Sequence, residues 1–390
     1  MANTVSSHFA LTRDQLIYLR DPIISVGNQE LHFEAFSSCN SVYARVNVLS
    51  NGIDGEFLQS GCTNIDLNDE TIRALNAVSK SEKLIIGVGS KEVTFITEKN
   101  NTTEKKVKLP NRWIKGLANV QLYLSEMTEV CKLTKIQALQ LFKSLPRTQA
   151  KTKYYLLKIA NSYSFLPIQR SNSIEIDGIH RFNLISNVTL LIDSLHIYTN
   201  QSQQSIALVL DFKNIQMTFL FSNSVFRGFS GEGKHLENLT GHIPKELVYG
   251  LNSFFKTNEV FNTTLVAIEN DIDLNTLKGV ESYLSGIGLL GFNLIKNNHF
   301  YRKLPFKTER FLAYNPRLKN ARRLIENQDV RIIERKKEIL KAQVKGSGGI
   351  FHTVLRSRNN YKCTCPWYTN NENIRGVCKH ILAVKIELEE

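Results

Sequence analysis

Three thiols and one imidazole near the end of the chain are spaced to hold a metal ion. Cys363-Thr364-Cys365 is followed, after twelve residues, by Cys378-Lys379-His380. This C-x-C…C-x-H set supplies the four soft and borderline ligands that tetrahedral Zn²⁺ prefers. With 6 Cys and 9 His in 390 residues, chance brings both motifs together in fewer than about one chain in a thousand. All four positions would be filled by protein, leaving none open for water. That chemistry is structural rather than catalytic.

The surrounding residues read as elements able to aim those ligands. Ile339 to Lys345 alternates Leu340, Ala342 and Val344 on one side, as a strand does. Gly346-Ser347-Gly348-Gly349 turns the chain into a returning strand over Phe351 to Leu355. In an extended Tyr361-Lys362-Cys363 segment, residues i and i+2 share a face, so Cys363 and Cys365 can present both sulfurs to one ion. Pro366 ends that strand. From His380 to Ile386 the chain reads as a short helix with Ile381, Val384 and Leu388 on one stripe. Cys378 then lies at its entrance and His380 in its first turn. The expected unit is a small β-β-α finger whose metal supplies much of its folding energy.

This pattern resembles the SWIM-type zinc finger, on Cys363-Thr364-Cys365-Pro366-Trp367-Tyr368 and on Arg375-Gly376-Val377-Cys378-Lys379-His380-Ile381-Leu382-Ala383-Val384. Val377 stands where such fingers often carry proline. Upstream, Leu109-Pro110-Asn111-Arg112-Trp113, Arg227 to Gly233 and Tyr301 to Phe306 are similar to bacterial proteins that place this finger after a long region of their own. The resemblance implies one structural Zn²⁺ held by Cys363, Cys365, Cys378 and His380, and a module that contacts DNA or protein. It also implies an adaptor role beside an AAA+ ATPase or a von Willebrand factor A protein.

Charge is the second signal. Of the formal net charge of +13, the segment 301–350 carries +9 and 351–390 carries +2. A basic stretch running into a finger suits a phosphate backbone or an acidic protein. The candidate contact residues are Arg302, Lys303, Arg317, Lys319, Arg322, Arg323, Arg335, Lys336, Lys337 and Trp367. The bland alternative for the charges is a solvated face. Pro316 to Asn327 has helical spacing, with Leu318, Ala321, Leu324 and Ile325 inward and Arg317, Lys319, Arg322 and Arg323 outward. Trp367 either packs on the ligand loop or stacks on a base.

Other constellations carry little chemistry. Gly228 to Lys234 fits G-x-x-x-x-G-K, but His235 stands where a phosphate loop needs Ser or Thr for Mg²⁺. Ser230 lacks the second glycine of G-x-S-x-G. Asp177-Gly178 reads as a turn beside His180, and Asp271 and Asp273 near Glu269 have no basic partner at a telling distance. The expectation is therefore a protein that is not an enzyme. Cys39, Cys62 and Cys131 read as small core residues of a reducing compartment. The first residues lack the pattern of a secretory leader, and no apolar run is long enough to span a membrane. A cytoplasmic location is expected.

Upstream, the chain reads as hairpins and helices. Asn68-Asp69-Glu70 opens a helix. Leu84 to Val88 and Val93 to Thr97 form a hairpin, Asn100 to Thr103 a loop, and Lys106 to Leu109 a strand. Helices follow from about Arg112 to Met127 and from Thr134 to Phe142. Ser144 to Gln149 is a polar break. Ile206 to Leu210 and Ile215 to Phe221 pair as another hairpin, and helices follow from Pro244 to Phe255 and from Thr276 to Leu284. The expected fold class is α+β. Residues 1–146 form one mixed domain, 147–300 a second β-rich one, 301–337 a basic helical connector and 338–390 the finger. Function is expected to be non-enzymatic binding of a protein partner through the finger and its basic neighbour; the alternative is nucleic-acid binding through the same region.

Overall fold

The computed structural model describes residues 22–27, 29–58, 60–109, 111–200, 205–223, 228–231, 236–237, 240, 245–258, 260–304, 315–358, 360–371 and 375–388. The upstream region is organised by an eight-stranded antiparallel sheet. It contains β1 (Ile23–Gly27), β2 (Glu30–Phe36), β3 (Val42–Val48) and β4 (Gly61–Asn64). After α1 (Asp69–Asn76) comes a small meander of β5 (Ile85–Val88), β6 (Glu92–Ile96) and β7 (Asn101–Lys105). Helix α2 (Asn111–Ser125), strand β8 (Met127–Thr134) and helix α3 (Lys135–Lys143) follow. A three-stranded sheet of β9 (Tyr154–Ile159), β10 (Ser162–Leu166) and β11 (Ile174–Ile176) precedes β12 (Ser194–Asn200), β13 (Ser205–Asp211) and β14 (Ile215–Ser222). The large sheet runs β4-β1-β2-β3-β14-β13-β12-β8.

That order places strands from both sides of residue 146 in one sheet, and β3 pairs β14 from Ile215 opposite Val48 to Phe221 opposite Val42. The two halves thus share a scaffold. Its centre is apolar on both faces because each is covered. Ala207, Val209 and Leu220 meet Trp113, Leu117 and Val120 of α2. Ile206, Leu208, Leu210 and Phe221 meet Ala138 and Leu141 of α3 and the turns around Phe182. A strand covered on both faces loses period-two polarity, which is why β13 reads as a continuous apolar run.

Three local expectations are corrected. Asn101 to Thr103 is strand rather than loop, because Thr102 and Glu104 turn inward while their neighbours face solvent. The chain from Lys106 to Leu109 is mostly outside any strand, with Lys106 contributing a single bridge to Ile65. Met127–Thr134 is an edge strand, not the end of a helix, and it pairs β12 around an irregularity at Ile197/Tyr198. Asn68 does cap α1, its side chain accepting from the Thr71 amide.

A helical layer links this scaffold to the C-terminal unit. It comprises a helical turn α4 (Gly228–Gly231), α5 (Lys245–Asn258), β15 (Val260–Phe261), α6 (Thr263–Glu269), α7 (Leu274–Gly286), β16 (Leu290–Asn293) and β17 (Asn298–Tyr301). Residues 232–235, Pro244 and 305–314 lie outside the described residues, so the G-x-x-x-x-G-K expectation is untouched. Asp273 caps α7 by accepting from the Thr276 amide, a local role for a residue considered for chemistry. The chain then runs through α8 (Pro316–Glu326), the meander β18 (Val330–Arg335), β19 (Ile339–Lys345), β20 (Phe351–Ser357) and β21 (Asn360–Cys363), and helices α9 (Pro366–Asn371) and α10 (Lys379–Glu387).

The C-terminal unit is larger and less independent than the expected β-β-α finger. Its sheet has four strands in the order β18-β19-β20-β21, beginning at Val330. Leu340, Ala342, Val344 and Val354 share one core with Leu318, Ala321 and Leu324 of α8, and with Leu251, Phe255, Leu277 and Leu284 of the helical layer. The class is mixed α+β, with a cysteine–histidine cluster at the C-terminal end. No helix among the described residues is long and apolar enough to cross a membrane.

Arg302 corrects another expectation, since it is buried at 5% exposure instead of offered to a partner. Its guanidinium pairs with Glu34, whose other oxygen accepts from Tyr43. Burial alone would raise the Glu34 pKa; the Arg302 and Arg45 guanidiniums and two hydrogen bonds bring it below the usual value. Removing one partner of such a pair strands a charge in the core. Arg302→Ala is therefore expected to cost about 3–5 kcal/mol in urea unfolding. A loss below about 1 kcal/mol would contradict the pairing.

Candidate metal centre

Three elements deliver the ligands. Cys363 ends β21, and its register opposite Val354 turns it to the inner face with Tyr361. Cys365 immediately precedes Pro366, which begins α9 instead of merely stopping the strand. Proline suits a first helical position because its missing N–H would be unpaired there anyway. Cys378 is the N-cap of α10, and His380 lies in that helix's first turn. Gly376 adopts φ 75°, letting the chain reverse just before Val377 and Cys378.

These four side chains are all buried, and their ligand atoms lie within 4.8 Å of one another. Cys363 Sγ is 3.8 Å from His380 Nδ1. Bonds of about 2.0–2.3 Å to a tetrahedral zinc put two ligands roughly 3.5–3.8 Å apart. The set therefore fits such an ion with little movement. His380 Nε2 is buried and has no hydrogen-bond partner, an unsatisfied group of a kind folded proteins seldom leave. The Tyr368 amide donates to Cys365 Sγ at 3.4 Å, supporting negative charge on sulfur.

Without an ion the thiols share their protons. Hydrogen bonds from Cys363, then Cys378, hold the Cys365 thiol far below the usual cysteine range. The Cys363 thiol is pushed up to about 12, first by its hydrogen bond to Cys365. Cys378 is raised further by its bonds to Cys363 and Cys365. Sulfurs that compete for protons in this way form a site where a cation can take the protons' place. Filling it displaces the remaining protons, so affinity rises with pH.

Arg317 and Trp367 come together, but as supports of the ligand loop. The Arg317 guanidinium donates to the Arg375 carbonyl at 2.7 Å and the Val377 carbonyl at 3.0 Å. It also lies 4.6 Å from the Trp367 ring centroid. Burial lowers its pKa to about 10, which leaves it charged at neutral pH. Arg317 is not the outward contact expected of it, and Trp367 takes the packed position that was one of its two expected places. His352, which sequence reasoning passed over, packs its ring 4.7 Å from that of His380. Its alternation with Val354 was the available signal.

The remaining candidates are exposed. Lys319, Arg322 and Arg323 lie on the outer side of α8, away from Leu318, Ala321 and Leu324. Arg335 ends β18 and Lys336 and Lys337 begin the turn to β19, where Lys336 pairs with Glu334 at 2.6 Å. Lys303 is exposed on its own segment.

No family model and no curated protein matches this chain. Among solved structures, the C-terminal region of FEN-1 bound to A. fulgidus PCNA overlays 52% of this chain and 89% of that one, at 10% identity and a TM-score of 0.35. The PCNA2–PCNA3 complex from Sulfolobus tokodaii overlays 53% and 91%, at 10% identity and a TM-score of 0.37. What the C-terminal cluster can do follows from its own geometry: it can hold one metal ion.

Because Arg317 fixes the backbone on which Cys378 sits, Arg317→Ala is expected to weaken metal affinity by about 10–100-fold with every ligand intact. Competition with a chromophoric chelator measures this. Both carbonyls accept from the same nitrogen, Nη1, so Arg317→Lys, whose ammonium carries three donors, should restore part of the affinity. Unchanged affinity in Arg317→Ala would show that the clamp is dispensable.

Proposed function

We propose that this chain is a non-enzymatic interaction protein whose C-terminal contact module is organised by one structural Zn²⁺ in a SWIM-type finger. The observation that carries the reading is the convergence of Cys363, Cys365, Cys378 and His380, all buried, within 4.8 Å. Three sulfurs and a nitrogen select zinc over hard cations and complete a tetrahedron without water. A closed site of this kind does no Lewis-acid chemistry on a substrate; it fixes a surface. The resemblance on the finger motif extends the reading to an adaptor in a larger assembly, of the kind containing an AAA+ ATPase or a von Willebrand factor A protein.

Phosphate-backbone binding is the second reading, favoured by the exposed Lys319, Arg322 and Arg323 and the Arg335–Lys337 turn. It no longer draws on Arg302, Arg317 or Trp367. Replacing Arg322, Arg323 and Lys336 together would weaken such binding and flatten its salt dependence.

Elemental analysis of protein purified without chelator tests the main reading. One zinc per chain is expected, lost in Cys378→Ser, with the C-terminal sixty residues or so becoming sensitive to protease. Zinc retained by that variant together with native protease resistance would remove Cys378 from the ligand set.

A further inference from the structure

The β18–β21 sheet has two faces, and the core takes only one. Leu340, Ala342, Val344 and Val354 point inward. The antiparallel register then assigns the opposite face: Ile339, Lys341, Gln343 and Lys345 on β19 stand beside Ser357, Leu355, Thr353 and Phe351 on β20. Leu355 lies in turn opposite Lys362 on β21. On this face Ile339, Phe351 and Leu355 are 49%, 41% and 44% exposed, and Ile333 and Ile350 beside it are 53% and 70% exposed. Such grouping of large apolar side chains on a surface marks a contact site more often than scattered ones do.

The charges around these side chains are mostly basic, the exception being Glu334 opposite Lys341. Arg331, Lys341, Lys345 and Lys362 interleave with the apolar residues. Lys345 is partnered by Asp329 at 3.4 Å. The acidic residue of the face, Glu334, is taken by Lys336. A second copy of this chain, at a formal +13, would bring like charge against like. A single-stranded nucleic acid would need open rings on which to stack successive bases. Phe351 is the only ring among the paired residues of the face, and the Arg331 guanidinium stands 5.2 Å from its centroid.

We infer that this outer sheet face docks an acidic amphipathic helix supplied by a partner protein. Apolar side chains of that helix would lie over Ile339, Leu355 and Phe351, and its carboxylates would meet Lys341, Lys362 and Arg331. A helix on this face would complete the layering already begun by α10 on the other. The inference rests on the interaction-protein reading and specifies the partner's chemistry.

The test uses the full-length zinc-loaded chain and a fluorescent helical peptide of about 14 residues, with leucines at i, i+3, i+4 and i+7 and glutamates between. Fluorescence anisotropy is expected to show saturable binding that weakens at least about tenfold in Leu355→Asp and in Lys341→Glu, each retaining one zinc. Oligo-dT and oligo-U of similar length are measured in parallel, and light scattering follows the free chain. No binding of the peptide, or binding that both variants leave unchanged, would overturn the inference. So would oligonucleotide binding that those same variants abolish, or self-association through this face. Loss of zinc from the unaltered chain would instead count against the metal reading, which keeps the two failures apart.

Discussion

The C-terminal unit depends on bringing three sulfurs and an imidazole into one buried space. Such a group is costly to enclose without a cation, because its thiols compete for protons. An ion turns that cost into a cross-link between β21, the start of α9 and the start of α10. The three elements are short, and β21 pairs with β20 only from Asn360 to Cys363. Their geometry is therefore the geometry of the ligand set, and Arg317 extends that control to α8 through the Arg375 and Val377 carbonyls.

Metal and apolar core divide the work differently from what an isolated finger would require. The residues behind the ligands belong to a core that continues into α5 and α7. Helix α10 is buried almost all round, Ile381 to Val384 included, since sheet lies on one side and α8 on the other. The apolar layer can hold α8 and the inner sheet face by burial alone. The ligand loop, anchored by Trp367, Tyr368 and Val377, is the part that a bound ion would hold further. Lys385 adds a tether at 3.3 Å to Glu237.

The ligand set was legible because it is local. Spacing of i and i+2 on a strand, and a cysteine one residue before a helical turn, needed no tertiary knowledge. The same holds for β19, β20, α8 and the Phe212–Asn214 hairpin turn, whose periodicities are regular. What escaped was decided at long range or by broken pattern. Strand β18 hides because its register shifts between Ile332 and Glu334, interrupting alternation. Strands β7 and β8 look polar because much of each faces solvent. Arg302 looks like surface charge until Glu34, 268 residues earlier, is placed beside it. Arg317 likewise became a support only when the loop carrying the Arg375 and Val377 carbonyls was placed against it. Charge count alone could not separate these arginines from Arg322 and Arg323, which do face solvent.

X-ray absorption at the zinc edge of the purified chain tests the central claim most directly. The account predicts a first shell of three sulfurs at about 2.3 Å and one nitrogen at about 2.0 Å, with no oxygen. A shell holding a water oxygen, or two or more light atoms beside fewer than three sulfurs, would mean an open site and contradict a purely structural metal.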